Sequence, residues 1–477
     1  MTPFERSIDA EVLAGLPNEQ ERLAEATRVL DYYHLRGGMH VPRRRGESTT
    51  AWSARPRQTH PLTRRVIKIL CSKTYSPGPT RTIADDPAAD PILQEVYRDN
   101  LIDQMVAAAD RMATLLHFAA VQAVDLGSES LKPFRLRLWD ASQLALYADP
   151  NDPTRCAALI TIDRADNRTR YRFWTAEFCR EYLTEKWSRD RTSGARTSRF
   201  VSQVDHGYGR PPFGLVFNER PTSGLYSEPL GAYLADRNAA IDVKIDRMDE
   251  AVVAFHSPRG FVFNAPPGWS PDGDPDDVAG LVRVPRVQTE DGNVEVRVEY
   301  PQPGLNVESG WLDVEKAIDT VMEGLGVPQT LYRMDQASLP SGESQKAEQQ
   351  PLIDYAEDRR ELFKSWETDL AEAVLAVVGT ATGNAAVKEA GARGINLTLR
   401  WPPEEPSVED VQTDQLTVAE RSASLLQVVQ KRNRYASRDE AMQHMEQVAR
   451  DDADLAALFG GGPDVLDSAA AEGSTNG

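Results

Sequence analysis

Three aspartates at alternate positions, Asp272, Asp274 and Asp276, are the closest this sequence comes to a metal-binding spacing. Such carboxylates begin a calcium loop, where glycine at the sixth position permits the turn and glutamate at the twelfth completes the oxygen shell. Here the sixth position is Asp277 and the twelfth is Arg283, so a solvated turn is expected. The acidic pairs Asp85-Asp86 and Asp451-Asp452 would need partnered residues to hold a catalytic metal, and no motif supplies them. The seven histidines, His34, His40, His60, His117, His206, His256 and His444, are scattered without ligand spacing and read as structural. Cys71, Cys156 and Cys179 lie far apart with no CxxC pair, which suggests neither a disulfide framework nor a zinc site.

Nucleotide and hydrolase chemistry is equally unsupported. The sequence has no GxxxxGK[ST] phosphate loop, no GxGxxG after a strand, no HExxH and no GxSxG. The expectation is therefore a protein without cofactor, metal or catalytic residues.

Charge narrows the class further. The 477 residues carry a formal net charge of −19, against tight wrapping of nucleic acid, which depends on Lys and Arg displacing counterions from phosphates. Weak or sliding contact stays open. About the first 75 residues are net basic, with Arg43, Arg44 and Arg45 followed by Arg55, Arg57, Arg64 and Arg65, whereas about the last 75 are acidic. That basic cluster could meet an acidic neighbour, DNA or only solvent. No run of about 18 apolar residues appears, and the N-terminus has acidic residues where a signal peptide would be basic, so a cytosol-like compartment and no membrane association are expected.

The elements that position these residues follow from periodicity. Leu23, Ala26, Leu30 and Tyr33 mark an amphipathic helix before Gly37-Gly38, and Val66, Ile69 and Leu70 another after Pro61. Residues 91–125, rich in Ala, Leu and Met, are expected as one or two core helices. From about 134 to 217 the period shortens. FRLRLW alternates, ALITID and RYRFW are β-rich, FCREYLTEKW continues a strand or short helix, and the fold class is α+β, mainly helical.

Residues 227–254 predict a long helix capped by Ser227, with Pro229 in its first turn and Leu230, Leu234, Ile241, Ile245, Met248 and Val252 as apolar positions. A compact insertion with strands in FVFNA, GLVRVPRV and VEVRVEY follows, and a second helix, about Glu308 to Glu323, must run back antiparallel to the first. It carries Glu308, Asp313, Glu315, Asp319 and Glu323 against Lys316, so its aqueous face is acidic. Gly324, Gly326 and Pro328 end it, and Ser341 and Glu343 can start the next helix. The intervening loop contains Tyr332, Arg333, Met334, Gln336, Ser338 and Leu339, with little obvious reason for burial.

Residues 343–378 form the longest helical pattern, striped with Phe363, Trp366, Leu370, Val374 and Val377 and expected to kink near Pro351. The strand INLTLRW, a charged helical region over 407–459 and a small, polar, disordered tail from about 460 complete the chain.

The order of these pieces resembles the portal proteins, or head-to-tail connectors, of tailed double-stranded DNA phages. GYGRPPFGLVFNERP is similar to that family's glycine, proline and apolar strand before the stem. LPSGESQKAEQQPLIDYAEDRRELFKSWETDL is similar to its Ser/Gly-rich lead into the long helix. The resemblance spans nearly the whole chain and lies in the ordering of elements. It implies a wing over 1–226, a stem helix over 227–254, a clip over 255–307 and a returning stem helix over 308–325. A tunnel loop over 326–342, a long kinked helix and wing strand over 343–406, a crown over 407–459 and the tail over 460–477 complete the correspondence.

Such a subunit is expected to build a homo-oligomeric ring, in that family commonly of about twelve copies, at one vertex of the capsid in the virion after assembly in the host cytoplasm. Double-stranded DNA passes through the channel during packaging and ejection, and terminase, then head-tail adaptor proteins, dock on the clip. Capsid and scaffolding proteins are the remaining partners. On this resemblance the loop residues Tyr332, Arg333, Met334, Gln336, Ser338 and Leu339 sit at the channel constriction, and the acidic returning helix repels phosphate from the wall. A plain surface connection is the alternative for the loop. Arg283, Arg286 and Arg297 in the clip are either partner contacts or solvated β-faces. Another ring-forming neck or capsid protein, and a packaging-associated nuclease or NTPase, are the competing functions.

Overall fold

The computed structural model describes residues 2–44, 47–75, 78–127, 129–165, 168–185, 198–256, 261–263, 282–284, 297–299, 307–328, 331–332, 342–401 and 442–443. The chain is a mixed helix and sheet protein whose larger share is helical. Two units emerge from its contacts, one of Met1–Ser76 with Arg81–Leu399 and one of Pro77–Thr80 with Arg400–Gly477. In the second unit the Thr80 hydroxyl donates to the Arg400 carbonyl at 3.2 Å. The expected crown, except Met442 and Gln443, and the expected tail lie outside the described residues.

In chain order the elements are α1 (Pro3–Leu13), α2 (Gln20–Tyr33), α3 (Thr49–Ala54), α4 (Leu62–Leu70), β1 (Thr80–Ile83), α5 (Asp90–Asp99), α6 (Ile102–Leu116), β2 (Phe118–Asp125), β3 (Phe134–Asp140), β4 (Leu144–Asp149), β5 (Asp152–Ala165), β6 (Arg168–Trp174), β7 (Phe178–Glu185), β8 (Arg199–Asp205) and β9 (Phe213–Phe217). The second half continues with α7 (Leu230–His256), β10 (Phe261–Phe263), β11 (Val282–Val284), β12 (Arg297–Glu299), α8 (Val307–Gly324), α9 (Gly342–Thr382), α10 (Ala385–Arg393) and β13 (Leu397–Arg400).

Local chemistry sets several boundaries. Thr2 and Glu5 form a reciprocal capping box at the start of α1, with Pro3 in its first turn. Asp86 accepts the Ala88 and Ala89 N–H groups ahead of α5, and Asp85 accepts the Asn396 N–H at 3.1 Å, so this acidic pair orders backbone. After α6 the chain turns through His117 at φ 76°, a left-handed conformation unusual for a side chain with Cβ. The Ser227 hydroxyl lies 2.8 Å from the His117 ring. Ser227 therefore braces this turn, where a helix cap was expected, and α7 begins at Leu230 just after Pro229.

Residues 118–125 are strand, where a continuation of helix was expected. β2 is the centre of an antiparallel sheet of order β3-β2-β9, and its first six residues are all buried, leaving no alternation to betray it. Tertiary pairing overrides the helix preference of its alanines. α6 and α9 pack on this sheet, and at Gly214 a Cβ would stand 2.7 Å from Leu370 Cβ and 2.9 Å from its Cα. Glycine is thus what lets β9 meet α9 so closely.

A second antiparallel sheet runs in the order β4-β5-β6-β7-β8. β7 resolves FCREYLTEKW in favour of a strand over its described part. Helix α1 covers the sheet through Ile8 and Val12, which join Ala145, Ile160, Ile162, Phe173 and Tyr182 in one apolar cluster. At the β4 edge the Tyr226 hydroxyl both accepts from Leu146 N and donates to Leu146 O, an edge protection of the kind that stops unwanted strand pairing.

The stripe predicted on the longest helix is real: Phe363, Trp366, Leu370, Val374 and Val377 on α9 are all buried. Each such side chain contributes about 1.5 to 3 kcal/mol by leaving water. Helix α9 is continuous through Pro351. Two buried ion pairs pin it: Arg359 to Asp110 of α6, with the same guanidinium donating to Asn218, and Arg81 to Glu367, which also accepts from the Tyr75 hydroxyl at 2.9 Å.

Candidate functional site

The elements around the expected stem form the candidate site. α7 buries Leu234, Ala235, Asn238, Ile241 and Asp242, and α8 buries Val314, Val321 and Met322. α7 and α8 pack together. Gly310, in the first turn of α8, is so close to Met248 in the last third of α7 that a Cβ there would lie 2.2 Å from the Met248 sulfur. α8 thus starts beside the stretch of α7 from which the insertion departs, as expected for a chain that goes out along one helix and returns along the other.

The three strands between them form one small sheet. β10 pairs in parallel with β11, placing Val262 opposite Arg283, and antiparallel with β12, placing Phe263 opposite Arg297. Arg286, expected with them on the clip surface, lies outside the described residues, as do Asp272, Asp274 and Asp276.

The acidic face of α8 separates into a stripe and an outlier. Glu308, Glu315, Asp319 and Glu323 stand at spacings of seven, four and four, which at about 100° per residue keeps them within an arc of roughly 80°. Asp313 is roughly 120° from the middle of that arc and belongs to a different face. Glu308, Asp313, Glu315 and Glu323 are exposed and Asp319 is partly so. The stripe also exposes Leu312, and Trp311 is exposed beside it.

The basic N-terminal cluster has an acidic neighbour within the chain. Arg44 donates to Asp246 of α7 at 3.0 Å and lies 3.6 Å from Glu250, while Arg55 pairs with the same Asp246 and, at 2.8 Å, with Glu47. Burial pushes the Asp246 carboxyl up, but the two guanidinium groups outweigh it and hold the group below the usual carboxylate range. Arg57 stacks over Trp52 with 4.3 Å to the ring centroid. Arg65 of α4 donates to the main-chain carbonyls of Leu331 at 3.4 Å and Tyr332 at 2.9 Å, beyond the end of α8.

Tyr332 itself departs from expectation. Its ring is buried in the main core cluster with Val321, Met322 and Val327, so it anchors the base of the expected loop and is not part of a wet constriction. Arg333, Met334, Gln336, Ser338 and Leu339 lie outside the described residues.

One carboxylate near the stem is unusual. Asp242 is buried where α7 crosses the segment before α4, and its Oδ1 accepts from His60 N at 2.7 Å and Asn238 Nδ2 at 3.1 Å. Its Oδ2 has no hydrogen-bond partner. Burial pushes its pKa up to about 7, against the pull of the two donors. Asn238 also accepts from Thr63, extending a polar seam between α4 and α7. No sequence motif marks this seam; the only sign is polar residues four apart on the apolar side of a helix.

Among the described histidines, His40 pairs with Asp31 at 3.1 Å, and His206 stacks on Tyr208. Among the described residues no cluster of His, Cys, Asp and Glu could hold a metal ion, and no helix is long and apolar enough to cross a membrane. A shallow hollow of about 300 Å³ lies between α2, His40 and Arg164, lined in part by Arg28 and Asp31.

No family model and no curated protein matches the chain. Among solved structures, a chain of "Virion of native gene transfer agent (GTA) particle" overlaps it with a TM-score of 0.39 at 13% identity. A chain of "Neck of empty GTA particle computed with C6 symmetry" does so with a TM-score of 0.35 at 14% identity. Each overlap covers 77% of this chain and 87% of the other. Overlap at that level does not establish a shared fold.

Proposed function

We propose that this chain is the subunit of a portal ring at one capsid vertex, the conduit for double-stranded DNA during packaging and ejection. The observation that carries the reading is the hairpin of α7 and α8, packed on each other and bracketing a three-stranded insertion, with the 41-residue α9 following directly in sequence. A helix pair that leaves the α+β body, presents a small sheet and returns is what a stem and clip require. The body of residues 1–226 then serves as the wing, and terminase, adaptor, capsid and scaffolding proteins are the partners.

The role asked of the chain is architectural: to hold a channel open and present docking surfaces, with no bond made or broken. In the ring, residues 326–342 stand at the constriction, with Tyr332 and Arg65 holding one end. Arg283, Arg286 and Arg297 belong to the surface that faces the packaging motor.

Negative-stain images of the purified protein test this reading. A wide-winged ring with a narrow stalk and central hole is expected; a monomer or a flat ring without a stalk overturns it, the flat ring favouring another neck component. Metal- or ATP-dependent turnover, abolished by an acidic-residue variant, would favour the nuclease or NTPase alternative.

A further inference from the structure

The outer faces of the two stem helices carry opposite charge. On α7, Tyr233, Arg237, Ala240, Lys244 and Arg247 recur at spacings of four, three, four and three, and all five are exposed. That spacing puts them on one stripe of the helix. Arg237 stacks over Tyr233 at 5.1 Å, and no ion pair among the described residues engages Lys244 or Arg247. The outward stripe of α8 is the acidic one, Glu308, Glu315, Asp319 and Glu323, with Leu312 inside it and Trp311 at its border. On α8, Gly310, which meets Met248 of α7, lies about 180° around the helix from the middle of the acidic stripe, so that contact leaves Glu308 and Glu315 exposed.

We infer that the basic stripe of α7 in one subunit docks on the acidic stripe of α8 in the next, a head-to-tail contact between copies of this chain. The inference deepens the ring reading, rests on it for the cyclic arrangement, and places the acidic stripe between subunits where the resemblance had it on the channel wall. Two different patches meeting in this way form a heterologous interface, which closes into a ring when the rotation allows.

Register supports the pairing. Gly310 lies level with Met248, and the helices run in opposite directions, so one step up α8 matches one step down α7. Rotation about an axis along the stem leaves height unchanged, so the same levels meet between neighbouring copies. Lys244 is then level with residue 314, within about 1.5 Å of Glu315 along the axis. Arg247 is level with Trp311, whose exposed ring it can cover, and about 4.5 Å from the level of Glu308. Lys244 and Arg247 therefore each meet a carboxylate or an aromatic face close to their own height.

The pairing also explains why Trp311 and Leu312 are exposed in the single chain, 43% and 49% respectively. In the ring they form the apolar centre of a contact rimmed by charge, the usual anatomy of a subunit interface.

Charge reversal tests the inference. One variant carries Lys244→Glu and Arg247→Glu, and a second carries Glu308→Lys and Glu315→Lys; circular dichroism establishes that each keeps its helices, and mass photometry with negative stain reads assembly. Each variant alone is expected to need roughly ten-fold more protein than the wild type for half-assembly, because like charges face each other at every contact. An equimolar mixture is expected to restore rings, with the two variants alternating, since each then finds its opposite on both sides. Wild-type rings together with unimpaired single variants overturn the inference and leave the ring reading standing, as does impairment that mixing fails to rescue. A wild-type chain that forms no closed oligomer overturns the ring reading and the inference with it.

Discussion

The Arg65 guanidinium donates to the main-chain carbonyl of Tyr332 at 2.9 Å, tying α4 to a residue of the expected loop. A charged donor on a carbonyl is worth about 1.5 to 3 kcal/mol, and here it acts on backbone between α8 and α9. Arg65→Ala is expected to speed amide hydrogen exchange over residues 325–332 by roughly ten-fold while leaving α9 unchanged. Arg65→Lys, with its single ammonium, should fall between the two. Unchanged protection in Arg65→Ala would show that Tyr332 burial alone holds the segment.

A second expectation concerns the close approach of β9 to α9. Adding a methyl group at Gly214 meets Leu370 Cα at 2.9 Å, and a helix backbone cannot move aside as a flexible side chain can. Gly214→Ala should therefore destabilise the chain by about 1 to 3 kcal/mol, read as a lowered denaturant midpoint. Gly310→Ala is the contrast: its neighbour is the flexible end of Met248, so a loss under about 1 kcal/mol is expected. Equal losses at the two sites would contradict this distinction between backbone and side-chain neighbours.

These two glycines also show which parts of the fold the sequence could reveal. The stripe of α9 and the hairpin helices were legible because each repeats apolar residues at helical spacing over many turns, and the insertion strands because they alternate between turn residues. β2 was hidden because burial on both faces removes the alternation, and the alanines of β2 favour helix in isolation. Ser227 misled because a hydroxyl ahead of a helix can bond either the helix or a neighbour, and His117 takes it. At the site, the acidic positions of α8 were visible as residues, but the separation of Asp313 from the stripe needed the helix bounds. Burial of Tyr332 and the reach of Arg65 across 267 positions depend on tertiary contacts that no local pattern encodes.

The ion pair between Arg359 and Asp110 yields a third expectation. Both side chains are buried, and the same guanidinium also serves Asn218 at 2.6 Å. Removing one partner strands the other charge, so Arg359→Met should cost about 3 to 5 kcal/mol. Replacing Asp110 as well, as Asp110→Leu in the same chain, should recover much of that loss, because an apolar pair needs no compensation. Additive losses in the double variant, measured by denaturant unfolding, would instead mean that packing volume dominates at this crossing.

The portal reading makes its own demand on the loop. Deleting residues 334–339 is expected to leave ring assembly intact, since the stem contacts lie on α7 and α8, and to impair packaging or retention of DNA in an assembly assay. If the deletion abolishes rings and the remaining monomer has lost helical signal, the segment is core structure and its channel role falls.

Asp242 provides the pH dependence. Aspartate ordinarily titrates near pH 4, whereas burial raises this one to about 7. Between those values the folded chain holds a proton that the unfolded chain has released. By linkage the group's contribution to stability is therefore fullest below about pH 4, declines as pH rises through the window, and is flat above about 7. Asp242→Asn keeps a carbonyl oxygen for the His60 N–H and the Asn238 amide while removing the titration. The variant should match the wild type near pH 4 and exceed it at pH 8 by on the order of a few kcal/mol. The His60 ring, held below its usual range by burial and by Arg65, gives the opposite slope, but it is present in both proteins and drops out of the comparison. A difference between the two proteins that does not grow from pH 4 to pH 7 would mean that Asp242 is ionised in the fold, with a cation or water at its second oxygen.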